Sequence, residues 1–242
     1  MIRSKLGLKA LLLSGLVLGL FAFAASGAQA EATAHWRVSG VNVNDTLLPQ
    51  LKITGIENNT ASLAFTTKGG TNVLILCTAA NFDEGGKLAL EGKITLGRIL
   101  FTGCVTLLNE AISTKCKPSG GGAGAGEILT EKGEGLIVLD ELAGGEKDDN
   151  VLIKPDTGVG TNFAVIHLGE TCAIGETVEV KGELWLKDCL GNASFLEEKV
   201  THLIEESLHG LTALGQPATI IGSANVALAG AHEGLKWSGQ PG

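Results

Sequence analysis

Four residues near the C-terminal end have the types and the spacing that could hold a metal ion. They are His202, Glu205, Glu206 and His209. On a helix they would share one face, because offsets of three, four and seven residues return to the same side. Apolar residues in 196–208 also have helical spacing, but a strand over 199–205 competes with that helix. We favour the strand because every neighbouring segment has a strand pattern, so we predict a solvated polar face and no metal site.

Two segments rich in Asp and Asn carry oxygen ligands of the kind that bind calcium in exported proteins. They contain Asp148, Asp149 and Asn150, and Asn42, Asn44 and Asp45. Neither segment has the alternate acidic ligands, central glycine and late glutamate of an EF-hand loop. Because Asn and Asp favour turns for backbone reasons alone, we predict two turns here and no metal ligands.

Residues 120–127 superficially resemble a dinucleotide-binding loop. Glu127 stands where a third glycine would be needed, and the segment follows Lys117 and Pro118 where the motif requires a strand. A flexible, glycine-rich loop is therefore predicted. The chain also lacks the GxSxG motif of an activated serine and the paired Cys/His spacing of a zinc site. The sequence predicts no catalytic, cofactor-binding or metal-binding residue, and no cofactor.

Trp185 gives the best single indication of a binding surface. Apolar residues alternate along 178–186 and place Trp185 on the side opposite to them. An exposed tryptophan could contact a sugar ring. A second buried face of a β-sandwich explains the same pattern, and we favour that explanation.

The five cysteines all follow residue 76, and none forms a CxxC motif. In an oxidising compartment disulfides are expected, and an odd number leaves one thiol unpaired. Proximity along the chain favours Cys77–Cys104 and Cys172–Cys189, with Cys116 left over. A Cys104–Cys116 bond competes with the first of these, and the sequence alone does not fix the connectivity.

The first thirty residues have the three parts of a secretory signal. Arg3, Lys5 and Lys9 are followed by an apolar stretch over 10–25 and by small residues at 28 and 30. We predict cleavage after Ala30 and secretion to the cell exterior. The apolar stretch is shorter than the roughly 20 residues of a membrane-spanning helix, so no membrane association is expected after cleavage.

The charge balance excludes one class of partner. The chain has 18 basic and 26 acidic residues, a net charge of −8. Removal of the signal leaves 15 basic residues against the same 26 acidic ones, a net charge of −11. We therefore expect no nucleic-acid partner. Cell-wall or other extracellular polymers are the partners that such an exported protein could meet.

Period-two alternation of apolar and polar residues dominates the chain after the signal. Examples are the segments around Trp36, Phe65, Val165 and Leu186. Many short segments of this kind, separated by turns rich in Gly, Asn and Asp, predict an all-β, antiparallel sandwich or barrel-like fold. Glycines within the strands, such as Gly92, Gly182 and Gly222, predict bulges. We expect one domain over 31–242, with 119–126 as the only candidate point of subdivision.

The chain resembles uncharacterised exported all-β proteins of high-GC Gram-positive bacteria. The resemblance rests on the signal and on four segments: 101–104, 114–118, 201–203 and 222–239. Those proteins have no assigned activity, so the resemblance implies an all-β fold and an extracellular location but no site residues. The function expected from the sequence is that of a secreted, non-catalytic structural or interaction protein. The alternatives are an exported hydrolase with an unrecognised site and a calcium-stabilised carbohydrate-binding module.

Overall fold

A computed structural model describes residues 34–56, 58, 60–141, 147–156, 158, 160–188 and 198–240. These residues belong to one compact unit and are mostly β-strand. The part of the chain so described contains no α-helix, and a 3-10 turn lies at Gly230–His232. The predicted all-β, antiparallel, disulfide-containing fold is confirmed.

Eight strands close into a barrel. They are β3 (Gln50–Ile56), β7 (Lys87–Leu88), β8 (Lys93–Leu96), β14 (Gly133–Glu141), β15 (Lys147–Pro155), β18 (Leu184–Asp188), β19 (Thr201–His209) and β22 (Ser223–Ala229). Their order around the barrel is β14-β15-β18-β19-β22-β3-β7-β8, and β8 returns to β14. Every neighbouring pair is antiparallel, so each strand has two hydrogen-bonded neighbours and the barrel has no edge.

A second, twelve-stranded sheet is called the large sheet below. Its strands are β4 (Ala61–Thr66), β5 (Asn72–Cys77), β6 (Ala79–Phe82), β9 (Ile99–Thr102), β10 (Val105–Leu108), β11 (Ala111–Ile112), β12 (Ser119–Gly120), β13 (Glu127–Leu129), β16 (Asn162–His167), β17 (Thr177–Lys181), β20 (Thr212–Ala213) and β21 (Gln216–Ile221). Their order is β11-β10-β5-β4-β21-β20-β17-β16-β12-β13-β9-β6, and only β12 and β13 are parallel.

A small sheet of three strands completes the fold. It contains β1 (His35–Val38), β2 (Val41–Asn42) and β23 (Trp237–Gln240), in the order β2-β1-β23. Its register pairs Trp36 with Gly239 and Val38 with Trp237. The two tryptophans are almost fully buried against the barrel core, so the small sheet adds the largest aromatic side chains to that core.

Glycines lie where the chain passes from the barrel to the large sheet. β17 leads to β18 through Gly182, whose φ is +111°, and an added Cβ there would lie 2.0 Å from the carbonyl oxygen of Gly210. β8 leads to β9 through Gly97, where a Cβ would lie 1.2 Å from the carbonyl oxygen of Glu84. No side chain fits at either crossing without a shift of the backbone. Gly92, Gly182 and Gly222 all differ from the prediction, because each lies between two strands and not within one: between β7 and β8, β17 and β18, and β21 and β22.

The interior consists of two apolar cores that meet. The barrel core includes Trp36, Leu51, Leu88 and Trp237, and the large-sheet core includes Ile75, Leu168, Val178 and the four paired cysteines. Phe163 and Leu184 pack against both cores. The hydrophobic interior therefore continues from one sheet system into the other.

The disulfides agree with one predicted pair and contradict the other. Cys77 and Cys104 are bonded as predicted. Cys116 is bonded to Cys172, so the prediction that Cys172 pairs with Cys189 and that Cys116 is free is wrong. Cys189 lies outside the described residues.

Strand pairing explains the second bond. β12 pairs with β16, and the backbone N–H of Lys117 donates to the carbonyl of Leu168, which brings the segments around Cys116 and Cys172 together. Residues 120–127, predicted as a flexible loop, thus begin in β12 and end in β13 of the large sheet. The Arg98 guanidinium also donates to the Gly121 and Thr130 carbonyls and fixes the loop to its neighbours.

Candidate functional site: two adjoining apolar chambers

The structure places the four residues that resemble a metal site on one strand and not on a helix. All four lie on the strand β19, as the favoured interpretation of this segment predicts. His202 is not on a solvated face, contrary to the prediction, because it is only 1% exposed. Its Nε2–H donates to the Trp237 carbonyl at 2.7 Å, and its ring lies edge-on to the Trp237 ring, with centroids 4.3 Å apart. The described residues contain no group of three or more His, Cys, Asp or Glu that could hold a metal.

The two Asp/Asn-rich segments have different structures. Asn44 lies in a turn as predicted, where its Oδ1 accepts hydrogen bonds from Thr46 and from the Leu47 backbone. Asp148, Asp149 and Asn150 do not form a turn, because they belong to β15 and pair with β14. That second prediction is wrong because the ladder between these two strands extends further than the apolar pattern of either one.

Trp185 lies on the outer side of the barrel. Its neighbours Leu184 and Leu186 line the interior, so alternation along β18 directs Trp185 outward. The side chain is half-buried. It therefore does not form part of the interior site described next.

Two adjoining cavities occupy the interior. The first, called the barrel chamber, has a volume of about 170 Å³ and is lined by Trp36, Leu51, Phe82, Val226, Trp237 and their neighbours. The second, called the sheet chamber, has a volume of about 190 Å³ and is lined by Leu63, Ile75, Ile128, Phe163, Val180 and their neighbours. Six residues line both chambers: Ala61, Ile99, Phe101, Ile153, Leu186 and Ile220. The chambers are therefore separated by no more than a shared wall of side chains.

The chamber walls are almost entirely hydrophobic. No described residue that lines either chamber is charged, and the hydroxyl groups on the walls belong to Ser62, Thr130 and Ser223. Buried carboxylates or ammonium groups would need partners that these walls do not offer. The chambers are suited to small, neutral, apolar molecules, because apolar cavities of about 150 Å³ stay dry and bind molecules such as benzene.

The two tryptophans of the barrel chamber differ in their polar contacts. Trp36 Nε1–H donates to the Lys93 carbonyl at 2.8 Å. Trp237 Nε1 is buried and has no hydrogen-bond partner. The two rings are tilted by 49° with centroids 5.8 Å apart. The Trp237 indole N–H is thus a buried donor without a hydrogen-bond partner among the described residues.

The carboxyl groups with perturbed pKa values lie at the surface. The pKa of Glu84 is lowered by its hydrogen bond from Lys132, and the pKa of Glu91 is lowered by its hydrogen bond from Lys93. Both are exposed ion pairs with N–O distances of 2.7 and 2.6 Å. Neither pair belongs to the walls of the chambers, so neither contributes an acid or a base there.

The chambers are not predicted from the sequence. The signal for them is the set of small residues at inward-facing strand positions, where large apolar residues would fill a core. Examples are Ala61, Ala80 and Ala224 on three different strands. No single segment shows that these positions face each other.

Comparisons with known proteins give no relative: no family model, no curated protein and no solved structure matches this chain. Among the described residues there is no helix of the length and hydrophobicity needed to cross a membrane.

Proposed function

We propose that the protein is an exported, non-catalytic interaction protein that holds a small apolar molecule in its adjoining chambers. The observation that carries the proposal is the pair of chambers of about 170 and 190 Å³, lined by hydrophobic residues and sharing six of them. Ligand sites are typically concave and mostly apolar, with a few polar groups that set orientation. The closed barrel supplies a preformed wall, so little ordering would accompany binding.

Two features support the export part of the proposal. Both disulfides join cysteines of the large-sheet core, and such bonds persist in oxidising compartments outside the cytosol. The basic, apolar and small-residue segments of 1–30 have the order of a cleavable signal. N-terminal sequencing of protein from the culture medium should give a chain that starts at Glu31. A protein that keeps Met1 or stays with the membranes would contradict export.

The binding part is tested with α-methylstyrene, a neutral hydrocarbon slightly larger than benzene. Titration calorimetry should show saturable binding, and the melting temperature should rise with ligand concentration because the ligand binds only the folded state. Ala61→Leu should weaken this binding, because Ala61 lines both chambers and a larger side chain would fill them.

Ala64→Leu is the matched control for that variant. Ala64 is on the same strand, β4, but its side chain points to the opposite face from Ala61, Leu63 and Phe65. Binding should therefore be unchanged in this variant. Absence of saturable binding by the parent, or equal weakening by both substitutions, would contradict the proposal.

A further inference from the structure

The boundary between the two chambers is made of apolar side chains from both sheet systems. The residues that line both chambers are two from the barrel and four from the large sheet: Ile153 and Leu186, and Ala61, Ile99, Phe101 and Ile220. None of these side chains has a polar atom, so no side-chain hydrogen bond or ion pair holds the boundary closed. Ala61 contributes only a methyl group to it. A hydrocarbon chain that fills one chamber can therefore extend into the other.

The barrel chamber reaches the protein surface beside Gly222. Among the described residues that line the chambers, Gly222 alone is exposed, and it lines only the barrel chamber. It packs against the start of β4, because an added Cβ would lie 3.2 Å from both the Thr60 carbonyl oxygen and the Ala61 Cα. Residues that line only the sheet chamber include Ile75 and Val180, which are 1% and 3% exposed. A ligand that enters beside Gly222 thus fills the barrel chamber first.

The described residues around this opening are uncharged. In 58–62 and 219–225 the described polar side chains are hydroxyls and amides, and none is Asp, Glu, Lys, Arg or His. A polar group of a ligand would stay in water here, since the chamber walls behind it are almost entirely hydrophobic. The opening therefore suits the neutral polar end of a molecule whose remainder is hydrocarbon.

We infer that the chambers hold one unbranched alkyl chain, which runs from the barrel chamber into the sheet chamber and leaves a neutral polar end at Gly222. This inference rests on the proposed function and specifies the ligand as a single-chain lipid. A cavity of about 150 Å³ holds the six carbons of benzene, so volumes of about 170 and 190 Å³ together correspond to about 12 to 14 carbons. One molecule in both chambers also loses its translational freedom only once, whereas two molecules would lose it twice.

A series of primary alcohols tests the inference by chain length. The probes are hexan-1-ol, octan-1-ol, decan-1-ol and dodecan-1-ol, and titration calorimetry measures affinity and stoichiometry. Each added CH₂ group should raise the affinity about 4-fold, because it is removed from water inside the chambers. The rise should continue through dodecan-1-ol, with one molecule bound per chain. An affinity that stops rising at octan-1-ol, or two molecules of dodecan-1-ol per chain, would overturn the inference.

A substitution in the sheet chamber tests the path of the chain. Ala164 is 5% exposed and lines only the sheet chamber. Ala164→Leu should weaken dodecan-1-ol binding at least about 10-fold, since its larger side chain takes the place of several CH₂ groups. Hexan-1-ol, which fits within the barrel chamber, should bind this variant as it binds the parent. Ala61→Leu should weaken both alcohols, and Ala64→Leu, on the opposite face of β4, should weaken neither.

The outcomes separate this inference from the proposed function. If α-methylstyrene binds saturably but the affinity of the alcohols stops rising at octan-1-ol, the proposed function stands and the inference is wrong. If neither α-methylstyrene nor any alcohol binds, both fail. Equal weakening of hexan-1-ol and dodecan-1-ol by Ala164→Leu would overturn the path from Gly222 inward. Should this variant not fold, the chain-length series with the parent protein still decides the question.

Discussion

The barrel and the large sheet have cores of different composition. Among the described residues, the large-sheet core contains four cysteines in two disulfides and no tryptophan. The barrel core contains Trp36 and Trp237 and no cysteine. The hydrogen-bond patterns explain the difference, because the barrel closes on itself whereas the large sheet ends at β11 and β6. In a closed barrel every strand is held by hydrogen bonds on both sides. An open sheet has edge strands without a second partner, so disulfides add more to its stability.

The comparison also shows where a cavity is tolerated. The chambers meet along the six shared residues, and each extends into the core of its own sheet system, to Trp36 and Trp237 in the barrel and to Ile75 in the large sheet. The interior is thus incompletely filled on both sides of the junction between the barrel and the large sheet.

Removal of the Cys116–Cys172 bond is expected to have the largest effect on stability. The bond closes a chain of 56 residues, which corresponds to about 4 kcal/mol in the chain-entropy treatment. Cys77–Cys104 closes 27 residues, for about 3.5 kcal/mol, within a ribbon that is already paired through β5 with β10 and β6 with β9. We expect Cys116→Ala/Cys172→Ala to lower the urea midpoint more than Cys77→Ala/Cys104→Ala.

The same variants test whether the two regions unfold together. All three tryptophans lie in the barrel or the small sheet, so their fluorescence reports the barrel, whereas far-UV circular dichroism reports all strands. Because strands continue from one region into the other, the two signals should change at the same urea concentration. Fluorescence that persists after most of the dichroism is lost would show that the barrel is stable by itself.

Gly97→Ala should have the next largest effect. The new Cβ would lie 1.2 Å from the Glu84 carbonyl oxygen, so the backbone must move at the crossing between β8 and β9. We expect a loss of about 3 kcal/mol in the free energy of unfolding, the upper part of the usual range for overpacking. Gly55→Ala on β3 is the control, because nothing lies within 4 Å of its added Cβ. Equal stability of the two variants would contradict the tight crossing.

Trp36→Phe is expected to lower the free energy of unfolding by about 2 kcal/mol. It removes part of a side chain that is 1% exposed and leaves the Lys93 carbonyl without its indole donor. Trp185→Phe, a change of the same type on the outer side of the barrel, should cost less than half as much. Denaturant midpoints of the two variants provide the measurement. If Trp185→Phe lost more stability than Trp36→Phe, the aromatic packing that matters most for stability would lie outside the barrel core.

The sequence predicted the parts of this molecule that depend on local pattern. Alternation predicted the β class, and the short separation of Cys77 and Cys104 predicted their bond, which lies beside the pairing of β5 with β10 and of β6 with β9. Cys116 and Cys172 meet only because β12 pairs with β16, and that register depends on segments far apart in the chain. The chambers were unpredictable for the same reason, since a cavity exists only when inward-facing small residues of several strands converge.

The smallest expected effect concerns two exposed ion pairs at the rim of the barrel. Lys132 and Lys93 hold the pKa values of Glu84 and Glu91 below the reference value of 4.5. A carboxyl group with a lowered pKa in the folded state stabilises that state above the unfolded pKa, and this contribution is lost as the pH falls through the folded pKa. Lys132→Met and Lys93→Met should therefore lower the melting temperature slightly at pH 7 and have no effect near pH 3. Exposed pairs are screened, so 1 M NaCl should remove the difference at pH 7 as well.

Lys68→Met, in the turn between β4 and β5, is the control without an ion pair among the described residues, and it should show no such pH dependence. A stability difference between parent and lysine variants that is as large at pH 3 as at pH 7 would mean that these lysines act through packing and not through charge.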